Sequence, residues 1–219
     1  MLMPPTLPMV LFGGPSLSEL ALQRCRELGI ELRPPARRND IQQLVETGYR
    51  GTIALVDGVF HQVISVGHKE LLGAIAAGCD VYGISSMGAI RAYELRTFGM
   101  KGIGKVYRFF DQEGDFQDDE VALIHNPTPP YHPFSEPLVH IRACITDLCT
   151  RQEITPKAGQ EIIEQLKALY FGERTLETFA RLLESVSGKS FGDLVPDMAP
   201  YRIKQRDVED FLANITIHS

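Results

Sequence analysis

The sequence lacks the features that mark several large classes of protein. Basic residues are not in excess, since 22 Lys and Arg stand against 28 Asp and Glu, and the net charge of −6 argues against non-specific nucleic-acid binding. No apolar run reaches the length of a membrane-spanning helix. Residues 1–9 are rich in proline and lack the basic and apolar regions of a signal peptide. We therefore expect a cytoplasmic protein that binds neither membranes nor nucleic acid.

Cysteine is scarce as well. The chain has four cysteines, which form no CxxC pair: Cys25, Cys79, Cys144 and Cys149. Three of them lie among apolar residues of predicted helices, so we expect reduced core cysteines rather than disulfides. The histidines share no metal-ligand spacing, and we predict no metal site.

What the chain does contain is an alternation of strand and helix patterns that repeats four times. Short apolar runs at 9–12, 30–33, 51–56 and 81–85 predict buried strands, and a stretch with helical spacing follows each. Such alternation with short connections predicts an α/β fold, in which helices flank a parallel, Rossmann-like sheet.

The pattern changes beyond residue 98. We interpret the glycine-rich residues 99–104 as a loop, and the acidic residues 118–120 are typical of a solvated turn or of a site for a basic partner. From residue 138 onward the apolar spacing is helical. We therefore predict a tail over 1–8, an α/β core over 9–133 and a helical C-terminal extension over 134–219.

Three connections that follow predicted strands are candidates for a functional site: 13–16, 57–69 and 86–88. In parallel sheets, ligands and catalytic groups gather at the carboxyl ends of the strands. If the strands before them are neighbours, Lys69 and Ser86 lie at the same edge of the sheet. The sequence does not give the strand order.

Ser86 is the candidate nucleophile. A full nucleophile elbow has the pattern Gly-x-Ser-x-Gly, which presents a serine at a tight strand-to-helix turn. Ser86 is followed by Gly88 but lacks the earlier glycine, whereas Ser85 has Gly83 before it but lacks the later one. Each serine thus matches half of the pattern. The alternative is that Ser86 only caps the next helix by accepting a backbone hydrogen bond.

Lys69 is the candidate base, since a serine hydroxyl needs one and a Ser-Lys pair is a known variant. It lies in the first turn of a predicted helix, where the helix dipole disfavours a cation. The alternative is an exposed lysine paired with Glu70 or Asp57. His68 is the rival base, although no acidic residue stands at an obvious spacing from it. Asp57, which closes a strand, is placed to orient either residue.

An oxyanion hole requires backbone N–H groups near Ser86. The N–H of Met87, next to Gly88, is the natural first donor. Gly13 and Gly14 are candidates for a second donor, because glycine permits close approach of the backbone. The alternative use of this loop is an anion or nucleotide cradle. It lacks the Walker lysine and the full dinucleotide fingerprint, so we rank this interpretation lower.

Several short segments together resemble the TfuA-like family in their order and spacing over about residues 9–145. The residues that carry the resemblance are Phe12–Leu17, Pro34–Ala36 with Asp40, Asp57-Gly58 with Phe60, His68–Glu70, Ser86–Ala92 with Glu94-Leu95, Phe98–Met100 with Gly102, and Asp118–Ala122. Arg38-Asn39 stands where the family often has glycine before the Asp. Family members often have Ala at the position of Ser85, which favours Ser86 as the functional serine.

The resemblance implies a role in peptide backbone thioamidation beside a YcaO enzyme. The YcaO partner is expected to activate a backbone amide with ATP, and the TfuA-like protein, which needs no cofactor of its own, to hydrolyse the thiocarboxylated C-terminus of a ThiS-type sulfur carrier and release sulfide. The family's Ser-Lys pair corresponds to Ser86 and Lys69. The alternative is a non-catalytic adaptor that docks the YcaO enzyme and increases its affinity for the peptide. A third hypothesis is a nucleotide-binding regulator.

Overall fold

A computed structural model of the protein describes residues 9–59, 65–112, 117–190 and 198–215. Its strands are β1 (Val10–Phe12), β2 (Glu31–Arg33), β3 (Thr52–Leu55), β4 (Asp80–Ile84) and β5 (Lys101–Ile103). Helices alternate with these strands: α1 (Glu19–Glu27), α2 (Asp40–Glu46), α3 (His68–Ala76), α4 (Met87–Leu95) and α5 (Lys105–Gln112). Four more follow: α6 (Leu138–Thr150), α7 (Pro156–Ala168), α8 (Leu176–Ser187) and α9 (Ile203–Asn214).

The sheet has the strand order β2-β1-β3-β4-β5, and every neighbouring pair is parallel. The predicted α/β fold with a parallel sheet is therefore confirmed. This order is that of the flavodoxin-like doubly wound sheets, in which the direction of strand addition reverses between β1 and β3. The carboxyl ends of these two strands frame the crevice where such sheets bind ligands.

The fifth strand was missed, because we predicted a loop over residues 99–104. Lys101–Ile103 pairs with β4, and positive φ angles of 99° at Gly99 and 101° at Gly104 turn the chain at either end. A Cβ at Gly102 would overlap the ring of Tyr107, so glycine is required for α5 to pack on the strand. An edge strand this short, rich in glycine, has no apolar alternation to reveal it.

Two glycines let α4 lie directly against the sheet. A Cβ at Gly88 would overlap the carbonyl oxygen of Leu55 in β3, and a Cβ at Gly83 would overlap the carbonyl oxygen of Gly88. The Gly88 N–H donates to Val56 O at 3.1 Å. The start of α4 is therefore fixed between the ends of β3 and β4.

The chain divides into two compact units, Met1–Phe116 with Lys204–Ser219, and Gln117–Ile203. The predicted ranges were 9–133 and 134–219, whereas here the second unit begins at Gln117 and α9 belongs to the first unit from Lys204 onward. The apolar face of α9 enters the same core as the sheet and α1. The residues that it contributes there are Val208, Phe211 and Leu212.

The second unit has its own core between α6, α7 and α8. The acidic residues 118–120 belong to it and are not the solvated turn that we expected. Glu120 is buried and binds the Arg142 guanidinium through both oxygens, at 2.8 Å each. Asp119 pairs at 2.7 Å with Arg174, whose side chain is 1% exposed. Within the described residues, no helix is long and apolar enough to cross a membrane.

Replacing Gly88 with Ala should lower the free energy of unfolding by about 2 kcal/mol or more, because the new methyl overlaps a strand carbonyl. Gly73→Ala is the matched control, since Gly73 also lies inside a helix and its Cβ would meet nothing within 4 Å. That change should be neutral or stabilise by up to about 1 kcal/mol. Urea unfolding measures both. Equal stability of the two variants would contradict the packing described for α4.

Candidate functional site

The carboxyl ends of β1, β3 and β4 lie side by side, as the register Phe12↔Leu55 and Leu55↔Gly83 requires. The loop 13–16 follows β1, Asp57 follows β3, and Ser85-Ser86 follows β4. The predicted convergence of these three connections on one edge is therefore present in the structure.

Asp57 is buried and its carboxylate lies in the loop that follows β1. Its Oδ2 accepts hydrogen bonds from the N–H of Gly14 at 2.9 Å and of Ser16 at 3.0 Å, and its Oδ1 accepts from Ser16 Oγ at 2.7 Å. Two convergent N–H groups and a hydroxyl form the kind of concavity that binds anions. Here the chain's own carboxylate occupies it.

This arrangement revises three predictions. The Gly13 N–H donates to Arg33 O at 3.0 Å and the Gly14 N–H donates to Asp57, so both already have acceptors and neither is available to an oxyanion. The Asp57 carboxylate is committed to the loop and orients neither Lys69 nor His68. The loop also has no donors left for a nucleotide phosphate, which removes the observation that favoured a nucleotide-binding regulator.

The turn after β4 is strained at Ser85. Ser85 has a φ of 71°, and the Ser86 N–H donates to Ile84 O at 3.0 Å, so Ser85 is the centre of a three-residue turn. A γ-turn with positive φ is rare and strained, and such strain clusters at functional sites. The Ser85 hydroxyl donates to Lys204 O of α9 at 2.7 Å, which assigns Ser85 a structural role.

Ser86 is the residue before α4 and is 2% exposed. Its side chain makes no capping hydrogen bond, so the interpretation of Ser86 as a simple helix cap lacks its defining contact. Its hydroxyl has no hydrogen-bond partner among the residues that the structure describes. Met87 begins α4, and a first-turn N–H has no acceptor within its own helix. The N–H of Gly88 is bonded to Val56 O.

His68 begins α3 and has a carboxylate partner that the sequence analysis missed. Its Nε2 lies 2.7 Å from Glu94 Oε2 on α4. Glu94 also binds Arg91 at 2.6 Å, and the Arg91 Nε donates to Val66 O at 3.0 Å. No spacing rule reveals this pair, because the two residues lie on different helices. The His68 side chain is half exposed, and it connects the start of α3 to the outer face of α4.

Glu70 and Lys69 have separate environments, although they are adjacent. Glu70 is buried and accepts from the N–H groups of Gly67 at 2.7 Å and Ile41 at 3.3 Å, so it joins the starts of α3 and α2. Lys69 is exposed and has no ion pair or hydrogen bond to any described residue. The predicted pairing of Lys69 with Glu70 or Asp57 is therefore not observed.

The thiols offer no competing nucleophile. All four cysteines are free, as expected, and three are buried. Burial raises the pKa of Cys25 to about 11 and that of Cys144 to about 12, which leaves both as neutral thiols near pH 7. In the described parts of the chain, no group of three or more His, Cys, Asp and Glu side chains is arranged to hold a metal ion.

Another buried carboxylate lies where β5 ends. Asp207 of α9 accepts from the N–H groups of Lys105 and Val106, at 2.8 Å each, and so caps α5. Burial raises the pKa of Asp207, and the two backbone hydrogen bonds oppose this effect. Sequence patterns gave no indication of this cap, because it comes from a helix 102 residues along the chain.

Asp57→Asn should reduce the free energy of unfolding by about 2 to 3 kcal/mol. The loop loses charge-assisted hydrogen bonds, and the amide NH₂ of asparagine can face a backbone N–H that needs an acceptor. Asp80→Asn is the control, because the Asp80 side chain forms an exposed ion pair with Lys101. This change should lower the free energy of unfolding by less than about 1 kcal/mol. Urea unfolding at pH 7 compares the two. A loss no larger than that of Asp80→Asn would contradict the role given to Asp57.

Comparison with known proteins agrees with the resemblance noted in the sequence. A family profile described as TfuA-like protein matches residues 57–175, which is more than half of the chain. The matched range begins at Asp57 and contains both Lys69 and Ser86. No curated protein matches the chain. On the strength of the profile match, the chain belongs to the TfuA-like protein family.

Proposed function

We propose that this protein hydrolyses the thiocarboxylated C-terminus of a ThiS-type sulfur carrier and supplies the sulfide to a YcaO enzyme for ATP-driven thioamidation of a peptide backbone. Membership of the TfuA-like family supports a role beside a YcaO enzyme. The observation that carries the hydrolase assignment is Ser86, whose hydroxyl has no capping bond and follows a strained turn at the carboxyl edge of the sheet.

In this proposal the Ser86 Oγ attacks the carbonyl carbon of the thiocarboxylate while a base takes its proton. The tetrahedral intermediate carries negative charge on the former carbonyl oxygen, and the Met87 N–H is the donor best placed to stabilise it, a contribution of about 3 kcal/mol per donor. Hydrosulfide then leaves, and water hydrolyses the acyl-enzyme to regenerate Ser86. ATP is consumed by the YcaO partner, and this chain's own residues need no cofactor for these steps.

The proposal also requires a base that takes the proton of Ser86. Lys69 is the base predicted from the sequence, and it lies in the first turn of α3. Its side chain is exposed and has no hydrogen bond or ion pair to any described residue. Lys69 therefore stays a prediction that requires its own test.

Ser86→Ala should abolish sulfide release from a thiocarboxylated carrier, with a loss of roughly 10³-fold or more in kcat. The Ser86 hydroxyl has no hydrogen-bond partner among the described residues, so its removal should leave the midpoint temperature of thermal unfolding unchanged. Ser185→Ala is the matched control, since Ser185 is an exposed serine on α8. Lys69→Met is assayed in parallel. Near-wild-type release by Ser86→Ala would overturn the hydrolase assignment.

A second candidate function is the adaptor that docks a YcaO enzyme. The second unit exposes two large aromatic side chains, Phe134 at 56% and Tyr170 at 58% exposure. They belong to neighbouring segments, because the Phe134 N–H donates to Ile124 O and Ile124 lies against Gly172, next to the Tyr170 ring. Exposed aromatic side chains are typical of binding surfaces.

The double change Phe134→Ser with Tyr170→Ser should weaken binding of the YcaO partner by tenfold or more, while sulfide release by this chain alone is unchanged.

Ser86→Ala supplied with free sulfide should restore thioamidation in the presence of the partner, because the docking surface is intact. The readouts are the dissociation constant and the thioamide yield. If the aromatic variant binds like wild type, this surface is not the docking site.

A further inference from the structure

A cavity of about 400 Å³ lies beside the edge strand β5, within the first unit of the chain. Strands β4 and β5 and helices α5 and α9 line it, and none of its lining residues belongs to the turn at Ser85-Ser86. Cavities of this size are typical of sites for small molecules. The side chains that line it therefore indicate what kind of molecule it can bind.

One side of α9 forms a wall of this cavity. Asp207, Asp210 and Asn214 all line it, as expected for residues three and four apart, which share a face of a helix. On the neighbouring face, Val208 and Leu212 are buried in the core with the sheet and α1. Helix α9 thus packs on the core with one face and contributes a polar face to the cavity.

The apolar part of the lining is largely aromatic. Tyr82 of β4 and Phe211 of α9 line the cavity with their ring centroids 5.5 Å apart, and Ile103 and Ile215 extend this apolar surface. An aromatic group packs favourably on such rings. The Nζ of Lys101 lies 5.0 Å from the centre of the Tyr82 ring. This ring already has a cation on it, which argues against a ligand that is only a cation.

Two side chains of opposite charge line the cavity without a partner in the described parts of the chain. Arg108 of α5 and Asp210 of α9 are exposed, and neither side chain forms an ion pair or hydrogen bond with a described residue. Both act on the buried Asp207. Burial raises the pKa of Asp207, its two backbone hydrogen bonds and Arg108 lower it, and Asp210 raises it. The two free charges therefore lie around the same point of the cavity wall.

These features favour a ligand that carries both charges. The guanidinium of Arg108 matches a carboxylate, which it can bind through two parallel N–H groups. The Asp210 carboxylate matches an ammonium group. The Asn214 amide oxygen is a further acceptor, since its Nδ2 donates to Asp210 O at 2.7 Å. A ligand with only a negative charge would lie against Asp207 and Asp210, and a ligand with only a positive charge would lie against Arg108.

We propose that this cavity binds a free α-amino acid with an aromatic side chain. Arg108 binds its carboxylate, Asp210 and Asn214 bind its ammonium group, and its side chain packs on Tyr82 and Phe211. This inference goes beyond the hydrolase function proposed above and does not depend on it, because Ser86 takes no part in the binding.

L-tryptophan is a suitable probe, because the chain contains no tryptophan and indole fluorescence reports the ligand alone. Titration with the full chain should give a dissociation constant of about 1 mM or less, and L-phenylalanine should compete. Indole-3-propionate lacks the ammonium group and tryptamine lacks the carboxylate. Each should bind roughly tenfold more weakly or worse, because it loses hydrogen bonds between charged groups.

Arg108→Met and Asp210→Asn test the two charges separately. Arg108→Met should weaken binding of L-tryptophan by about tenfold or more and leave binding of tryptamine unchanged or tighter. Asp210→Asn should weaken L-tryptophan to a similar extent and leave indole-3-propionate unchanged or tighter. Arg26→Met on α1 and Asp111→Asn on α5 are the matched controls and should bind as wild type. Both residues are exposed on helices of the same unit and do not line the cavity.

All four substitutions are at exposed positions, so the variants should keep the thermal unfolding of the wild type. Failure of both amino acids to bind at about 10 mM would overturn the proposal. Equal or tighter binding of indole-3-propionate or tryptamine would also overturn it, because the cavity would then accept a simple carboxylate or a simple amine. If neither Arg108→Met nor Asp210→Asn changes the affinity for L-tryptophan, the amino acid binds elsewhere and the assignment of this cavity is wrong.

Discussion

The buried carboxylate of Asp57 holds three chain segments together at the carboxyl edge of the sheet. Its side chain binds the loop after β1, its N–H donates to Phe12 O, and its carbonyl oxygen accepts from the Ala36 N–H beyond β2. These contacts sit at the reversal point between β1 and β3, where related sheets leave a crevice for a ligand. In this chain the Asp57 carboxylate occupies that position. Ser86 lies beyond it, at the end of the next strand, β4.

Glu70 and Asp207 extend the same principle. Each is a buried carboxylate that accepts two backbone N–H groups. Glu70 accepts from the start of its own helix, α3, and from α2, and Asp207 accepts from the start of α5. Buried charges persist when hydrogen bonds satisfy them, and loss of one partner is costly. These buried carboxylates therefore hold the loops and helix starts at the carboxyl edge of the sheet in place. A rigid surrounding structure of this kind can maintain the strained γ-turn at Ser85.

Much of the fold was predictable, because strand–helix alternation is a local signal. The parallel sheet and the convergence of 13–16, 57 and 86 on one edge follow from it. The predictions failed where distant residues decide the outcome. Three contacts join segments that are far apart in the sequence, and no local pattern of residues predicts them. They are the hydrogen bond from the Gly14 N–H to Asp57, the His68–Glu94 pair and the packing of α9 on the first unit.

The position of α9 in the chain also has a consequence for biosynthesis. The first unit draws its last helix from beyond the second unit, so the second unit is an insertion within the first. During translation, the sheet and α1 leave the ribosome with part of their apolar core uncovered, and only α9 completes it. A truncated chain that lacks α9 would therefore expose the apolar residues that Val208 and Leu212 cover, and would be a substrate for chaperones and proteases.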